Sequence, residues 1–256
     1  GGLHSSDEDP TVIAKPLIYA AARTHIGRVR QRNEDAVFAD PKLGLVAVAD
    51  GLGGRPTGDI ASRLAIETLS HSLTSLSTPG DLSPPLALHR ALNETNAHVY
   101  AMSLRIPGCI GMGTTMVAGW FVSTRELGLQ LIVAHVGDSR LYRYRSAPAP
   151  TLELLTRDHT GAQKHILTKA IGIDPEVDID LMTTPVLPGD LVLLCSDGLS
   201  NMLDESSLLA LLTNASTADD AALMSLARAL IDAANERGGH DNIGVALATP
   251  RVEPST

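Results

Sequence analysis

The chain has 256 residues, 44% hydrophobic and 19% charged, which supplies a sizeable core and argues against a disordered chain. Twenty Lys and Arg against 29 Asp and Glu give a net charge of −9, and aromatics are only 3%; such a chain repels a phosphate backbone and is poor in stacking platforms, so no nucleic-acid partner is expected. Cys109 and Cys195 form no CxxC pair, and no apolar run reaches the ~18 residues of a membrane span, so neither a cysteine zinc site nor a membrane anchor is expected.

Residues 1–16 read as a disordered tail or an expression remnant, because the segment Gly1–Pro10 is polar and acidic. Residues 17–250 read as one domain, with no linker dividing them. Short Val- and Leu-rich runs bounded by turn residues predict strands at Leu17–Thr24, Ala36–Ala39, Gly44–Asp50, Thr114–Val122, Gly128–Val136, Arg140–Arg145, Leu152–Leu155, Asp178–Val186, Asp190–Ser196 and Ile243–Ala248. Helical spacing and caps predict helices at Asp59–Ser75, Pro84–Ser103, Glu205–Leu212 and Asp219–Asn235. Hairpins dominate over alternating βα units, so the expected class is α+β, with antiparallel sheets packed on one another and helices outside.

Several of these strands run straight into, or emerge from, an aspartate. Gly44–Ala49 leads to Asp50-Gly51, Leu191–Ser196 to Asp197-Gly198, Leu131–Val136 to Gly137-Asp138, and Asp241-Asn242 opens the last strand. Asp-Gly is also an ordinary turn dipeptide, and each case alone reads as a turn. Were several such carboxylates to converge, they would repel one another and stay ionised only beside cations. All-oxygen sites suit hard ions such as Mg²⁺, Mn²⁺ or Ca²⁺, which also make bound water more acidic.

These residues sit in a longer series. Gly27-Arg28-Val29-Arg30-Gln31-Arg32-Asn33-Glu34-Asp35 comes first, then Val48-Ala49-Asp50-Gly51-Leu52-Gly53-Gly54, then Gly111-Met112-Gly113-Thr114-Thr115 and Val136-Gly137-Asp138-Ser139-Arg140. Leu155-Thr156-Arg157-Asp158-His159, Leu167-Thr168-Lys169-Ala170-Ile171-Gly172, Ser196-Asp197-Gly198-Leu199 and Asp241-Asn242-Ile243 follow. In this order, over nearly the whole chain, the series resembles the protein phosphatase 2C-like, or PPM, family in its compact bacterial form.

The resemblance implies two packed antiparallel sheets flanked by helix pairs, a four-layer αββα sandwich. It implies two core Mn²⁺ or Mg²⁺ ions, with Asp50 bridging both, the Gly51 carbonyl on one, and Asp197 and Asp241 on the other. Asp138 matches the position that takes a third ion in bacterial members. Arg30 matches the arginine that grips substrate phosphate, and Glu34, Asp35 and Asn242 would act behind the ligands. A metal-activated water would then hydrolyse phosphoserine or phosphothreonine in proteins. The implied partners are phosphorylated protein substrates, among them a bacterial serine/threonine kinase and its targets; a cytoplasmic monomer is expected.

Three departures from the family pattern stand out. Leu52 replaces a histidine or methionine. Arg55 replaces a histidine and is expected at the mouth of the site, on phosphate or an acidic segment. Only Thr160–Ile166 separates His159 from Leu167, where relatives carry a long flap, which implies a more open site. Two competing readings are a catalytically weak regulatory phosphoprotein binder of the same fold and a hydrolase of small phosphate esters.

Overall fold

The computed structural model describes residues 16–53, 57–75, 82–163 and 166–252. The tail expected at 1–16 falls, apart from residue 16, outside the described residues, as does Arg55.

Among the described residues, ten strands form two antiparallel five-stranded sheets. One runs β1 (Leu17–His25), β10 (Ile243–Arg251), β9 (Leu191–Cys195), β6 (Arg140–Arg145) and β7 (Thr151–Leu154). The other runs β2 (Asp35–Asp40), β3 (Leu45–Asp50), β4 (Met116–Thr124), β5 (Gly128–Val136) and β8 (Asp180–Pro185). Helices α1 (Gly58–Ser75) and α2 (Pro84–Arg105) cover the second sheet, and α3 (Asp197–Ser200), α4 (Glu205–Thr213) and α5 (Asp220–Glu236) lie with the first. No helix among the described residues is long and apolar enough to cross a membrane.

The strand sequences explain this layering. Central strands such as Leu45-Val46-Ala47-Val48-Ala49 are apolar at every position because both faces are covered. Successive side chains point to opposite faces. Val46 and Val48 therefore enter the layer between the sheets with Leu131, Val133, Val192 and Leu194. Leu45, Ala47 and Ala49 face α1 and α2 instead, where Ala61 and Ala65 keep the approach close. On the other side, Leu193, Val245 and Leu247 meet Leu223, Leu226, Leu230 and Ile231 of α5. Those α5 residues recur at helical spacing, and the helix is capped by Asp219, whose carboxylate accepts from the Ala222 N–H at 2.7 Å.

The expected elements are present with end shifts of a few residues. One was not foreseen: Asp197-Gly198-Leu199-Ser200 is a short helix rather than a turn. β4 begins at Met116 rather than Thr114 because Thr114 bridges outside the ladder, to Gly51 on one side and Ile171 on the other.

Candidate active site

The two sheets bring their carboxylates to one end of the sandwich. Asp35 opens β2 and Asp50 closes β3, and the two are register partners. Asp197 follows β9 and Asp241 precedes β10, which are neighbours in the opposite sheet. Gly198 lets these two connections touch, since a β-carbon there would overlap the Asn242 carbonyl oxygen. The Asp50 carboxyl lies within hydrogen-bonding reach of both Asp35 and Asp197.

A buried scaffold holds this cluster. The Ser196 hydroxyl donates to Asp35 Oδ2 at 2.6 Å and accepts from the Gly244 N–H at 2.8 Å, tying the sheets together beneath the site. The Asp50 N–H donates to Thr115 Oγ1 at 3.0 Å, and Thr115 pairs with Ser139 at 2.7 Å. Asn242 pins the 26–34 loop. Its amide donates to the carbonyls of Ile26 at 2.9 Å and Arg32 at 2.8 Å, and its Oδ1 accepts from the Glu34 N–H at 2.9 Å. Asn242 thus works by holding backbone, and the Gly51 N–H adds a bond to the Glu34 carbonyl at 3.0 Å.

The electrostatics run against the charged forms. Loss of hydration and then repulsion from Asp35 and Asp197 push the Asp50 pKa well above the carboxylate range. Asp35 and Asp197 are raised, in each case first by burial. Asp35 Oδ1 and Asp197 Oδ1 are buried and find no hydrogen-bond donor among the described residues. Crowded carboxylates with bare oxygens fit hard cations, which would supply the missing charge and ligation.

Arg30 stands at the rim, half exposed, with its Nε 3.3 Å from Asp241 Oδ1 and its Nη2 3.4 Å from Oδ2. A guanidinium has five N–H donors, so several remain for a ligand. Glu34 lies beside Gly53 and Gly58, and burial and then Asp59 raise its pKa. Leu52 and Ile173 side chains meet over Gly113, giving the cleft an apolar lip.

Asp138 stands beside Asp197. It lies on the connection from β5 to β6, which crosses between the sheets, and it lines a cavity of about 310 Å³ with Asp197, Arg140 and Asp158. Burial and then Asp197 push its pKa up to about 6. The short segment after His159 is closed by a Thr160–Leu167 bridge and a Gly161 N–H bond to the Ile166 carbonyl at 2.9 Å.

Two nearby side chains are ruled out as nucleophiles. Burial pushes the Cys195 thiol up to about 12, and the fully buried Ser196 hydroxyl is committed to Asp35. Residue patterning missed Ser196, Thr115 and Ser139 as parts of the site. Their partners lie up to 161 residues away, and only the Ser-Asp-Gly and Gly-Asp-Ser triplets hinted at them.

An αββα sandwich whose strand-end aspartates converge beside an arginine defines the metal-dependent phosphatase class. The chain belongs to the protein phosphatase 2C family, which it matches over residues 23–235. It is 34% identical over 254 residues to the serine/threonine phosphatase stp of Listeria innocua, covering 90% of this chain and 95% of that one. The serine/threonine protein phosphatase PstP of Mycobacterium tuberculosis is also 34% identical, over 89% of this chain and 44% of its own length. The solved catalytic domain of PstP, in complex with two manganese ions, superposes with a TM-score of 0.78 at 32% identity, covering 92% of this chain and 99% of that domain.

Proposed function

We propose that the protein hydrolyses phosphoserine and phosphothreonine in proteins with the help of divalent cations. The observation that carries this reading is the convergence of Asp35, Asp50, Asp197 and Asp241, two of them with buried, bare oxygens, beside the half-exposed Arg30.

The residues divide the work. Asp50, the Gly51 carbonyl, Asp197 and Asp241 would hold two Mn²⁺ or Mg²⁺ ions, and Asp138 a third. Such cations supply positive charge that acidifies water and offsets the charge of the phosphoryl oxygens. Arg30 binds and orients the phosphate, using paired N–H groups that its loose contact with Asp241 leaves free. Asn242 fixes the loop that carries Arg30, and the Thr115–Ser139 pair fixes Asp50. Cys195 and Ser196 are unavailable as nucleophiles, which favours direct attack of water on phosphorus. Leu52 and Ile173 present hydrocarbon at the lip, so residue 52 supplies no proton to the leaving oxygen. The setting we propose is the bacterial cytoplasm, where the chain acts as a monomer opposite a serine/threonine kinase.

The test is phosphate release from a phosphothreonine peptide and from a nucleotide, with Mn²⁺, Mg²⁺ or chelator, for wild type and Asp197→Ala. Metal-dependent turnover of the peptide, lost in the variant, is expected. No turnover by folded wild type with either metal would favour a phosphoprotein-binding role, and preference for the nucleotide a small-ester hydrolase.

A further inference from the structure

Away from the carboxylate centre, His135, His159 and Asp180 place one ligand atom each within 4.8 Å of one another, the one such His/Cys/Asp/Glu group found among the described residues. Two features argue against a metal there. The imidazoles stack at 4.6 Å with planes 13° apart, so their in-plane lone pairs run parallel instead of converging. The ring protons also stand in the way. The Gly137 N–H donates to His159 Nδ1 at 3.0 Å, so the proton of the neutral ring is on Nε2, 2.9 Å from Asp180 Oδ2. His135 Nε2 is 2.9 Å from the Arg157 carbonyl, an acceptor only, and so it too carries a proton.

The same bonds describe a strut. We propose that His159 is a positioning residue for Asp138, transmitting the anchorage of Asp180 on β8 to the Gly137–Arg140 turn. The inference rests on the reading of Asp138 as a functional carboxylate. His159 holds Gly137 twice: ring Nδ1 accepts from its N–H, and the His159 N–H donates to its carbonyl at 3.0 Å. Gly137 has φ +107°, and a β-carbon there would lie 2.7 Å from the Thr115 methyl. The turn is therefore wedged between His159 and the residue that fixes Asp50. On the far side of Asp138, Asp158 grips Arg140 through two bonds of 3.0 and 2.8 Å. The consecutive pair Asp158-His159 thus clamps the residues flanking Asp138, and the buried His135 ring fills the space behind. His159 does not line the cavity that Asp138 and Asp197 share, so it acts through Asp138 rather than on a ligand.

A double-mutant cycle tests this, read as Mn²⁺ binding by electron paramagnetic resonance and as the Mn²⁺ concentration giving half-maximal phosphopeptide turnover. His159→Phe is expected to weaken Mn²⁺ response about ten-fold in the wild-type background, the usual cost of losing a residue that orients a ligand. In an Asp138→Asn background it should change little, below roughly two-fold on the same scale. Equal losses in both backgrounds would overturn the strut and leave the Asp138 reading standing. An Asp138→Asn protein that matches wild type would overturn the Asp138 reading itself, and the strut with it. Asp180→Asn keeps an acceptor for Nε2–H and should stay near wild type, whereas Asp180→Leu should reproduce His159→Phe. Should the substitutions unfold the chain, the ¹⁵N ring shifts of His159 in metal-free wild type decide: an Nε2-protonated ring supports the strut, and an Nδ1-protonated ring or an imidazolium overturns it.

Discussion

Strand β9 carries a buried aspartate at one end and the carboxylate cluster at the other, and the two ends are built in opposite ways. Before the strand, Asp190 is 2% exposed in its side chain and fully matched. Arg145 donates to both its oxygens at 2.8 and 2.6 Å, and the Leu187 N–H adds a third bond at 2.9 Å. After the strand, Asp197 faces Asp50, Asp35 and Asp241, and one of its oxygens is bare. The fold thus pairs the first carboxylate with its own arginine, while the second has only the rim Arg30 nearby and keeps a bare oxygen. The difference teaches that the cluster is not a failure of packing. On the proposed reading it is a place where ions from solution would let the carboxylates ionise, and crowding them costs the ion-free chain stability.

The largest expected effect is at the cluster. Asp50→Asn should lower phosphopeptide turnover by roughly a thousand-fold, about 4 kcal/mol of barrier. With chelator present, the same variant should melt at a higher temperature than wild type, because a neutral amide avoids the burial and repulsion that the Asp50 carboxyl meets on folding. Kinetics and melting curves on one pair of proteins check both statements. At the matched end, Asp190→Ala should do the reverse. It leaves the Leu187 N–H without its acceptor and should cost about 2 kcal/mol, roughly 5 °C of melting temperature. Its turnover should stay within about two-fold of wild type, since the site is not touched.

A smaller effect is expected from pH. The Asp35 pKa is raised from 3.8 to about 7 and that of Asp138 to about 6. A carboxyl whose folded pKa exceeds its unfolded value stabilises the fold while protonated, and that contribution is lost as pH rises from about 4 through the folded value. The chelated protein should therefore melt lower at pH 8 than at pH 5.5, and saturating Mn²⁺ should flatten the trend. Thermal melts at several pH values, with and without metal, measure it. The smallest effect is far from both ends. Asp219→Ala removes the cap of α5 and should cost about 1 kcal/mol with no change in metal response.

Much of this contrast was legible before the structure. Strand-to-aspartate junctions at Asp50, Asp197 and Asp241 were visible because short apolar runs end abruptly at turn residues, and the structure gathers all three. The alternation within buried strands was not legible, because Leu45–Ala49 is apolar on both faces and only packing shows which side meets α1. The four-residue helix at Asp197 is not legible in the sequence, since Asp-Gly carries no helical period. Ser196, which stitches Asp35 to the Gly244 backbone, carries no local mark of that task; its role is a contact between distant segments. The His159 strut was hidden for the same reason, as Asp158-His159 alone looks like a turn pair. Arg55, expected at the mouth, lies outside the described residues.

The most direct test of the central claim is a Mn²⁺ titration of the chelator-stripped protein, comparing wild type, Asp50→Asn and Asp190→Asn by isothermal calorimetry. Tight binding of two ions by wild type and Asp190→Asn, and its loss in Asp50→Asn, is the predicted result. Tight sites that survive Asp50→Asn, or a wild type that binds no ion tightly, would contradict the account.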